Sequence, residues 1–166
     1  TIRKDNGVYW FEDKGAIETT SPMTFETNTA FSVAGWVFTG PRSGEQVIAS
    51  QVTRRPNPDD TRSDKLHGWT FEINGRRLSL RFYPNTRRTI EVAAPVSARA
   101  AENAWHHVAA SYSGSGDNLG VALYVDGKRI DVAPADALRL IDANIKNPAP
   151  LRIGSDGRRG FAGAML

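Results

Sequence analysis

The chain contains no cysteine, so neither a disulfide framework nor a thiolate metal site can stabilise it. The fold must therefore rest on its hydrophobic core. No apolar stretch approaches the length of a membrane span, and residues 1–5 lack the apolar run of a signal peptide. Helical periodicity is nearly absent as well. These absences indicate a strand-rich domain without covalent cross-links and without membrane insertion.

An excess of charge of one sign is also missing, because 21 Lys and Arg residues oppose 18 Asp and Glu residues, for a formal net charge of +3. The basic residues are scattered between acids rather than gathered in one block. The pairs Arg87-Arg88 and Arg158-Arg159 have no aromatic residues between them, as a base-stacking platform would require. We therefore predict solvated loops at these pairs and no nucleic-acid partner.

Motifs of catalysis are absent too. No Gly-x-Ser-x-Gly, Walker-type loop or His-Glu-x-x-His occurs. A glycosidase needs two carboxylates that converge on one bond, but Glu72 and Glu91 each stand alone on a predicted strand. His106 and His107 are consecutive in a predicted strand and should point to opposite faces. The sequence therefore predicts that the chain is not an enzyme.

Short alternating runs of β-branched and aromatic residues, separated by Gly, Asn, Asp and Pro, make up most of the chain. Many short strands predict an all-β fold of two sheets in one domain over residues 1–166. The strand predicted at residues 31–38 has apolar side chains on both faces, so we expect both faces to be covered. Trp36 and Trp105 lie in strongly apolar strands, and we expect them to anchor the core.

The connections carry their own signals. Asn74-Gly75 and Asp126-Gly127 each separate two alternating runs, which predicts tight hairpin turns with positive φ. Residues 53–68 are polar and interrupted by proline, which predicts a long surface loop. Pro134 is a suitable first residue for one short helical turn within residues 134–147.

Two nearby segments resemble the laminin-G-like family: Trp-His-His-Val at residues 105–108 and Leu-Tyr-Val-Asp-Gly at residues 123–127. Residues 31–37 and Leu-Arg-Ile-Gly at residues 151–154 are similar to an early and a late strand of that family. The resemblance covers nearly the whole chain and implies a two-sheet antiparallel jelly roll of the concanavalin-A-like kind. In the family an Asp-Asp-Val-Arg-Ile-Tyr type strand would follow Leu166, so we expect the final strand to be missing and to pair near residues 9–17.

Residues 114–116 and 145–151 further resemble laminin-G-like modules of large planctomycete-type extracytoplasmic proteins that carry cytochrome-c-like segments. No Cys-x-x-Cys-His is present, so no haem function follows. The resemblance implies a bacterial binding or adhesion module that is secreted, periplasmic or on the cell surface. Its ligand would be a glycan or a protein, beside other domains of one parent chain. The alternatives are a structural spacer and a glycoside hydrolase or lyase.

Candidate ligand-binding residues follow from the way that sugars are held, by an aromatic face together with Arg, Asn and Asp side chains. Tyr83 could stack on a sugar or could equally be a solvent-side strand residue. The remaining candidates for bonding sugar hydroxyls are Arg81, Asn85, Asn57, Asp59, Asp60 and Asp64.

Calcium is the cofactor that the resemblance implies, because many laminin-G-like domains hold one ion at the rim of the sandwich through oxygen ligands. Asp13 lies where the family often has an Asp-Gly turn. The second carboxylate would come from the strand expected after Leu166. An ordinary turn residue is an equally good interpretation of Asp13.

Overall fold

The computed structural model describes residues 1–12, 15–20, 23–39, 44–56, 64–74, 77–84, 89–96, 103–132 and 144–166, with Arg55, Pro56 and Asp64 described by their backbone alone. This part of the chain forms 13 strands. They are β1 (Ile2–Asp5), β2 (Val8–Phe11), β3 (Ile17–Glu18), β4 (Phe31–Thr39), β5 (Glu45–Pro56), β6 (Asp64–Asn74), β7 (Arg77–Tyr83), β8 (Ile90–Pro95), β9 (Trp105–Tyr112), β10 (Val121–Val125), β11 (Lys128–Ile130), β12 (Arg152–Ile153) and β13 (Gly163–Met165). A 3-10 turn at Asn118–Gly120 precedes β10 and is capped by the Asp117 carboxylate, which accepts the N–H groups of Leu119 and Gly120.

The strands lie in two antiparallel sheets. Sheet I has the order β1-β2-β13-β4-β9-β10-β11, and sheet II has the order β3-β12-β5-β6-β7-β8. Strands from the two ends of the chain, β2 and β13, are neighbours in sheet I. The all-β jelly-roll sandwich predicted from the sequence is confirmed. Among the described residues, no helix has the length and apolar character needed to cross a membrane.

An aromatic cluster joins the inner faces of the sheets. The Phe31 ring lies 5.1 Å from the Trp69 ring and 6.5 Å from the Phe82 ring, and Phe82 lies 5.2 Å from Tyr112. Phe31 and Tyr112 belong to sheet I, whereas Trp69 and Phe82 belong to sheet II. Trp69 is only 1% exposed, which makes it the tryptophan of the core.

The prediction that Trp36 and Trp105 anchor the core is wrong. Their exposed fractions are 44% and 38%. Phe31 and Val37 take the inward positions of β4, and because side chains alternate along a strand, Trp36 lies on the outer face. The outer face of β4 is exposed, so the expectation that both of its faces are covered is also wrong.

Both predicted hairpins are present. Asp126 and Gly127 have φ angles of 51° and 74°, as the turn chemistry predicts. Asn74 at the end of β6 pairs with Arg77 at the start of β7 and lacks the positive φ that was predicted for it, while Gly75 lies outside the described residues.

The predicted loop over residues 53–68 is wrong at both ends. Thr53 in β5 pairs with His67 in β6, and the ladder continues to the pair of Pro56 with Asp64. Polar side chains do not prevent this pairing, because the bonds of the ladder join backbone groups. The predicted helical turn falls mainly on residues 133–143, outside the described part, and residues 144–147 have no helical structure.

Candidate ligand-binding surfaces

Arg81 and Tyr83 lie on the outer face of sheet II, where Arg81 is held by carboxylates. Its guanidinium lies 2.6 Å from Glu45 Oε1, 2.9 Å from Glu72 Oε2 and 3.0 Å from Glu91 Oε1. The Tyr83 hydroxyl lies 3.5 Å from Glu72 Oε1. A sugar would have to compete with three carboxylates for the donors of Arg81.

Arg159 reaches the same carboxylates from the connection between β12 and β13. Its Nη2 lies 2.7 Å from both Glu72 Oε1 and Asp156 Oδ2, and its Nη1 contacts Glu45. The Glu72 side chain is 0% exposed and also accepts a hydrogen bond from Thr70. We refer to these residues as the carboxylate–arginine cluster: Glu45, Glu72, Glu91, Asp156, Arg81 and Arg159.

Glu72 and Glu91 lie on different strands, β6 and β8, but Arg81 bonds to both and joins them in one cluster. Sequence reasoning missed this cluster since its members lie on four strands and one connection, up to 114 residues apart. The available signal was alternation: Glu72 and Arg81 lie out of phase with the apolar residues of β6 and β7.

Two carboxylates of the cluster, Glu45 and Asp156, have lowered pKa values. Burial opposes ionisation of Glu45, but hydrogen bonds from Arg81 and Arg159 outweigh it and hold the pKa of Glu45 below its ordinary value. Burial also opposes ionisation of Asp156, yet the backbone N–H groups of Arg159 and Arg158 and the Arg159 guanidinium lower its pKa. A carboxyl group with a lowered pKa is a poor proton donor. The cluster therefore lacks the general acid that glycoside hydrolysis requires at these two positions.

Other predicted ligand residues lie where the structure gives no side chain. Asn57, Asp59, Asp60, Asn85 and Asp13 lie outside the described residues. Asp64 begins β6 and is described by its backbone alone. Within the described ranges, no three His, Cys, Asp or Glu side chains are grouped to hold a metal ion. Calcium binding at Asp13 stays a prediction.

The outer face of sheet I carries a second candidate surface, which the sequence analysis missed. Trp10, Trp36 and Trp105 are 37%, 44% and 38% exposed. Trp10 lies opposite Ala164, Ala164 opposite Phe38, and Phe38 opposite Trp105, so these residues form one row across β2, β13, β4 and β9. Trp36 lies in the next outward row. Because paired residues share a face, the three indoles project from the same side of the sheet.

Neighbouring side chains support these rings. The Phe38 and Trp105 rings are 5.8 Å apart, and Trp36 meets His107 at 5.5 Å with an interplanar angle of 66°. The Arg3 guanidinium lies 5.6 Å from the centre of the Trp10 ring. We name this surface the aromatic face, and it comprises Trp10, Trp36, Phe38, Trp105 and His107.

Small side chains cover the adjoining part of sheet I. Ser32 lies opposite Ser111, and Ala34 lies opposite Ala109. Both β4 members of these pairs are exposed. The large rings of the aromatic face therefore project farther from sheet I than the adjoining serine and alanine side chains. A ligand that stacks on Trp36 can contact these small residues as well.

The two adjacent histidines diverge as predicted. His107 lies on the aromatic face, opposite Trp36. His106 lies opposite the inward-facing Val37, and its Nδ1 is 2.9 Å from Asp126 Oδ2. Burial of Asp126 is slight, and hydrogen bonds from His106 and from the His107 backbone lower its pKa. The two imidazoles cannot act on one substrate.

Three solved structures of similar fold are distant from this chain in sequence. A Ruminococcus gnavus sialidase CBM40 bound to α2,3-sialyllactose is 13% identical with a TM-score of 0.53, over 93% of this chain and 89% of that one. The botulinum neurotoxin serotype D binding domain is 13% identical with a TM-score of 0.61, over 99% of this chain and 38% of that one. A leech intramolecular trans-sialidase is 14% identical with a TM-score of 0.56, over 93% of this chain but only 24% of that one. These likenesses establish the fold.

No curated protein matches the chain significantly in sequence. A family profile does match, and it extends over residues 11–165, from the end of β2 to the end of β13. The match includes the strands and hairpins on which the resemblance to laminin-G-like domains was based. The chain therefore belongs to the Laminin_G_3 family of the concanavalin A-like lectin/glucanase superfamily.

Proposed function

We propose that this chain is a non-catalytic glycan-binding module of a larger extracytoplasmic protein, and that the aromatic face of sheet I is its binding surface. One observation carries the proposal: of the 4 tryptophans in the chain, Trp10, Trp36 and Trp105 project half-exposed from one face of one sheet. Only Trp69 is buried in the core.

An exposed indole leaves a large apolar ring surface in water, which is unfavourable unless a ligand covers it. A sugar ring suits such a surface because its C–H faces are apolar while its hydroxyls lie around the edge. His107 lies opposite Trp36, and the Ser32–Ser111 pair lies farther along the same face, beyond Ala34 and Ala109; these side chains can bond those hydroxyls. Because the adjoining serine and alanine side chains are short, a sugar ring has room to lie against the Trp36 indole.

The absence of catalysis in this proposal rests on the carboxylate–arginine cluster. Glu45 and Asp156 have lowered pKa values, and Glu72 is bonded by two arginines. Neither hydrolytic role, proton donor or free nucleophile, fits carboxylates that are neutralised by guanidinium groups. The fold shared with a module that is described as bound to sialyllactose is consistent with binding alone.

Titration with neutral oligosaccharides tests the proposal. A glycan array should first select a ligand, and tryptophan fluorescence should then follow its binding to the wild type, Trp36→Ala and Trp105→Ala. We expect each variant to weaken binding by about tenfold or more, as loss of a stacking aromatic anchor does. Trp69→Phe is the matched control, because it alters a tryptophan that no ligand can reach.

Equal affinity in the wild type and in both surface variants would contradict the aromatic face as the binding site. A wild type that binds no glycan on the array would contradict the function itself. In that case the second candidate function gains support, namely a spacer that docks a protein neighbour through the same face. Exposed apolar patches rich in tryptophan are typical of protein interfaces, and Leu166, 61% exposed, extends the patch beside Trp36.

A further inference from the structure

A groove of about 430 Å³ lies on the opposite side of the molecule from the aromatic face. One wall is the outward side of β5 at Val52 and Arg54, and the other is formed by Pro148 and Pro150. Arg152 and Asp156 complete the lining. Its size is within the range of small-ligand sites, and its walls combine apolar surface with a few charged groups.

Arg54 is the cation that the groove leaves least satisfied. Its Nη2 lies 2.6 Å from Asp156 Oδ1, but its Nε is buried and has no hydrogen-bond partner among the described residues. Asp156 neutralises Arg54 only in part, because the same carboxylate also accepts hydrogen bonds from the Arg159 guanidinium and from the backbone N–H groups of Arg158 and Arg159. Two guanidiniums therefore share one carboxylate at this wall.

Arg152 adds a second guanidinium to the groove. Its Nε donates to Glu18 Oε1 at 2.6 Å, while its Nη1 reaches the Val52 carbonyl only at 3.5 Å, a weak contact. Its side chain remains 23% exposed and that of Arg54 remains 24% exposed. Both guanidinium side chains therefore line the groove and remain partly exposed.

We infer that this groove binds the carboxylate of an acidic sugar, a uronic or a sialic acid, through Arg54 and Arg152. A planar carboxylate matches the fork of a guanidinium and forms charge-assisted hydrogen bonds. Val52, Pro148 and Pro150 supply the apolar contact for the sugar ring. The inference takes its ligand class from the proposed glycan binding, but it uses residues on the other sheet.

The test is calorimetric titration with two acidic probes, 3′-sialyllactose and trigalacturonate, and with lactose as the neutral comparison. The wild type should bind at least one acidic probe at the groove, and raising the salt concentration should weaken that binding. Arg54→Ala and Arg152→Ala should each reduce the affinity about 10- to 100-fold, the range for loss of a hydrogen bond to a charged group. Arg77→Ala is the matched control, since Arg77 is an exposed arginine of sheet II outside the groove lining.

Arg54 also bonds to Asp156, so replacing Arg54 with alanine removes a stabilising ion pair as well as a ligand contact. Arg54→Lys keeps the positive charge but cannot form the bidentate contact, and it should weaken binding while the melting temperature stays close to that of the wild type. No binding of either acidic probe to the wild type, or equal affinity in the wild type and both alanine variants, would overturn the inference. Trp36→Ala separates the two proposals, because it should abolish stacking on the aromatic face and leave acid binding in the groove unchanged.

Discussion

At two positions of this fold the backbone has a positive φ that only glycine adopts at low cost. Gly163 at the start of β13 has φ of 149°, and a Cβ atom there would lie 2.1 Å from the Phe38 carbonyl oxygen. Gly127 has φ of 74°, and a Cβ there would meet no atom within 4 Å. Substitution at Gly127 therefore measures the cost of the backbone angle alone, whereas substitution at Gly163 adds the cost of a steric clash.

Gly163→Ala should thus be far more damaging than Gly127→Ala. The second variant bears only the left-handed backbone penalty, about 1–2 kcal/mol of unfolding free energy. The first must also displace the β4 backbone, and we expect a loss of about 3 kcal/mol or more. Urea unfolding of both variants measures the difference, and equal losses would contradict the close approach of β13 to β4.

The tryptophans offer a second contrast at this scale. Trp69→Ala removes a side chain that is 1% exposed and should cost about 3–5 kcal/mol through the cavity left behind. Trp105→Ala removes a side chain that is 38% exposed, so we expect less than about 2 kcal/mol. Chemical denaturation checks both values. If Trp105→Ala lowers the free energy of unfolding as much as Trp69→Ala does, the assignment of Trp105 to the exposed face is wrong.

Among the elements, β4 is paired unequally on its two sides. It pairs with β9 from Phe31 to Phe38, but with β13 only from Val37 to Thr39, and two backbone bonds between Trp36 and Leu166 extend that ladder. β2 already pairs with β13. A segment attached after Leu166 would therefore continue β13 along β4 toward Phe31 rather than pair with residues 9–17.

Extending the chain by about ten to fifteen residues of its natural sequence tests this expectation, since one strand and its exit need about that length. The added strand should pair with β4 and raise the melting temperature, because it covers open backbone groups. An extended protein that melts no higher than the present chain would contradict this expectation.

Across the whole molecule, the carboxylate–arginine cluster ties sheet II to the connection that leads into sheet I. Glu45, Glu72 and Asp156 all bond to Arg159, which lies between β12 and β13. The pKa values of Glu45 and Asp156 are lowered in the folded protein. The unfolded chain therefore binds more protons in acid, and stability falls as the pH drops below the ordinary carboxyl pKa values of about 4.

Removing the shared cation should reveal this linkage. At pH 7 we expect Arg159→Met to lower the free energy of unfolding by about 2–3 kcal/mol, because it leaves buried carboxylates with fewer partners. The difference from the wild type should shrink between about pH 4 and pH 2, as the carboxylates become protonated in both proteins. Arg77→Met is the control, and a difference that stays constant with pH would argue against a charged cluster.

Much of this architecture was readable from local pattern. Trp69, Phe71 and Ile73 alternate with Thr70 and Glu72 in the sequence, and the three apolar side chains join the hydrophobic core, although Thr70 and Glu72 are buried on the other face as well. Asp126-Gly127 predicted its turn because few residues accept positive φ. The Asn6-Gly7 pair carried the same signal, with φ of 48° and 84°, and marks the β1–β2 hairpin that the sequence analysis passed over.

Sequence alone therefore determined strands such as β4, β7 and β9, the Asp126-Gly127 hairpin and the family, because these depend on residues close together in the chain. Tertiary structure alone decided which apolar face is covered and which charges meet. Trp36 and Val37 are equally apolar neighbours, and only the position of sheet II makes one exposed and the other buried. Glu72 became part of a cluster only when folding brought Arg159, 87 residues away, to within hydrogen-bond distance. Contacts at such separations depend on sheet order, which no local pattern specifies.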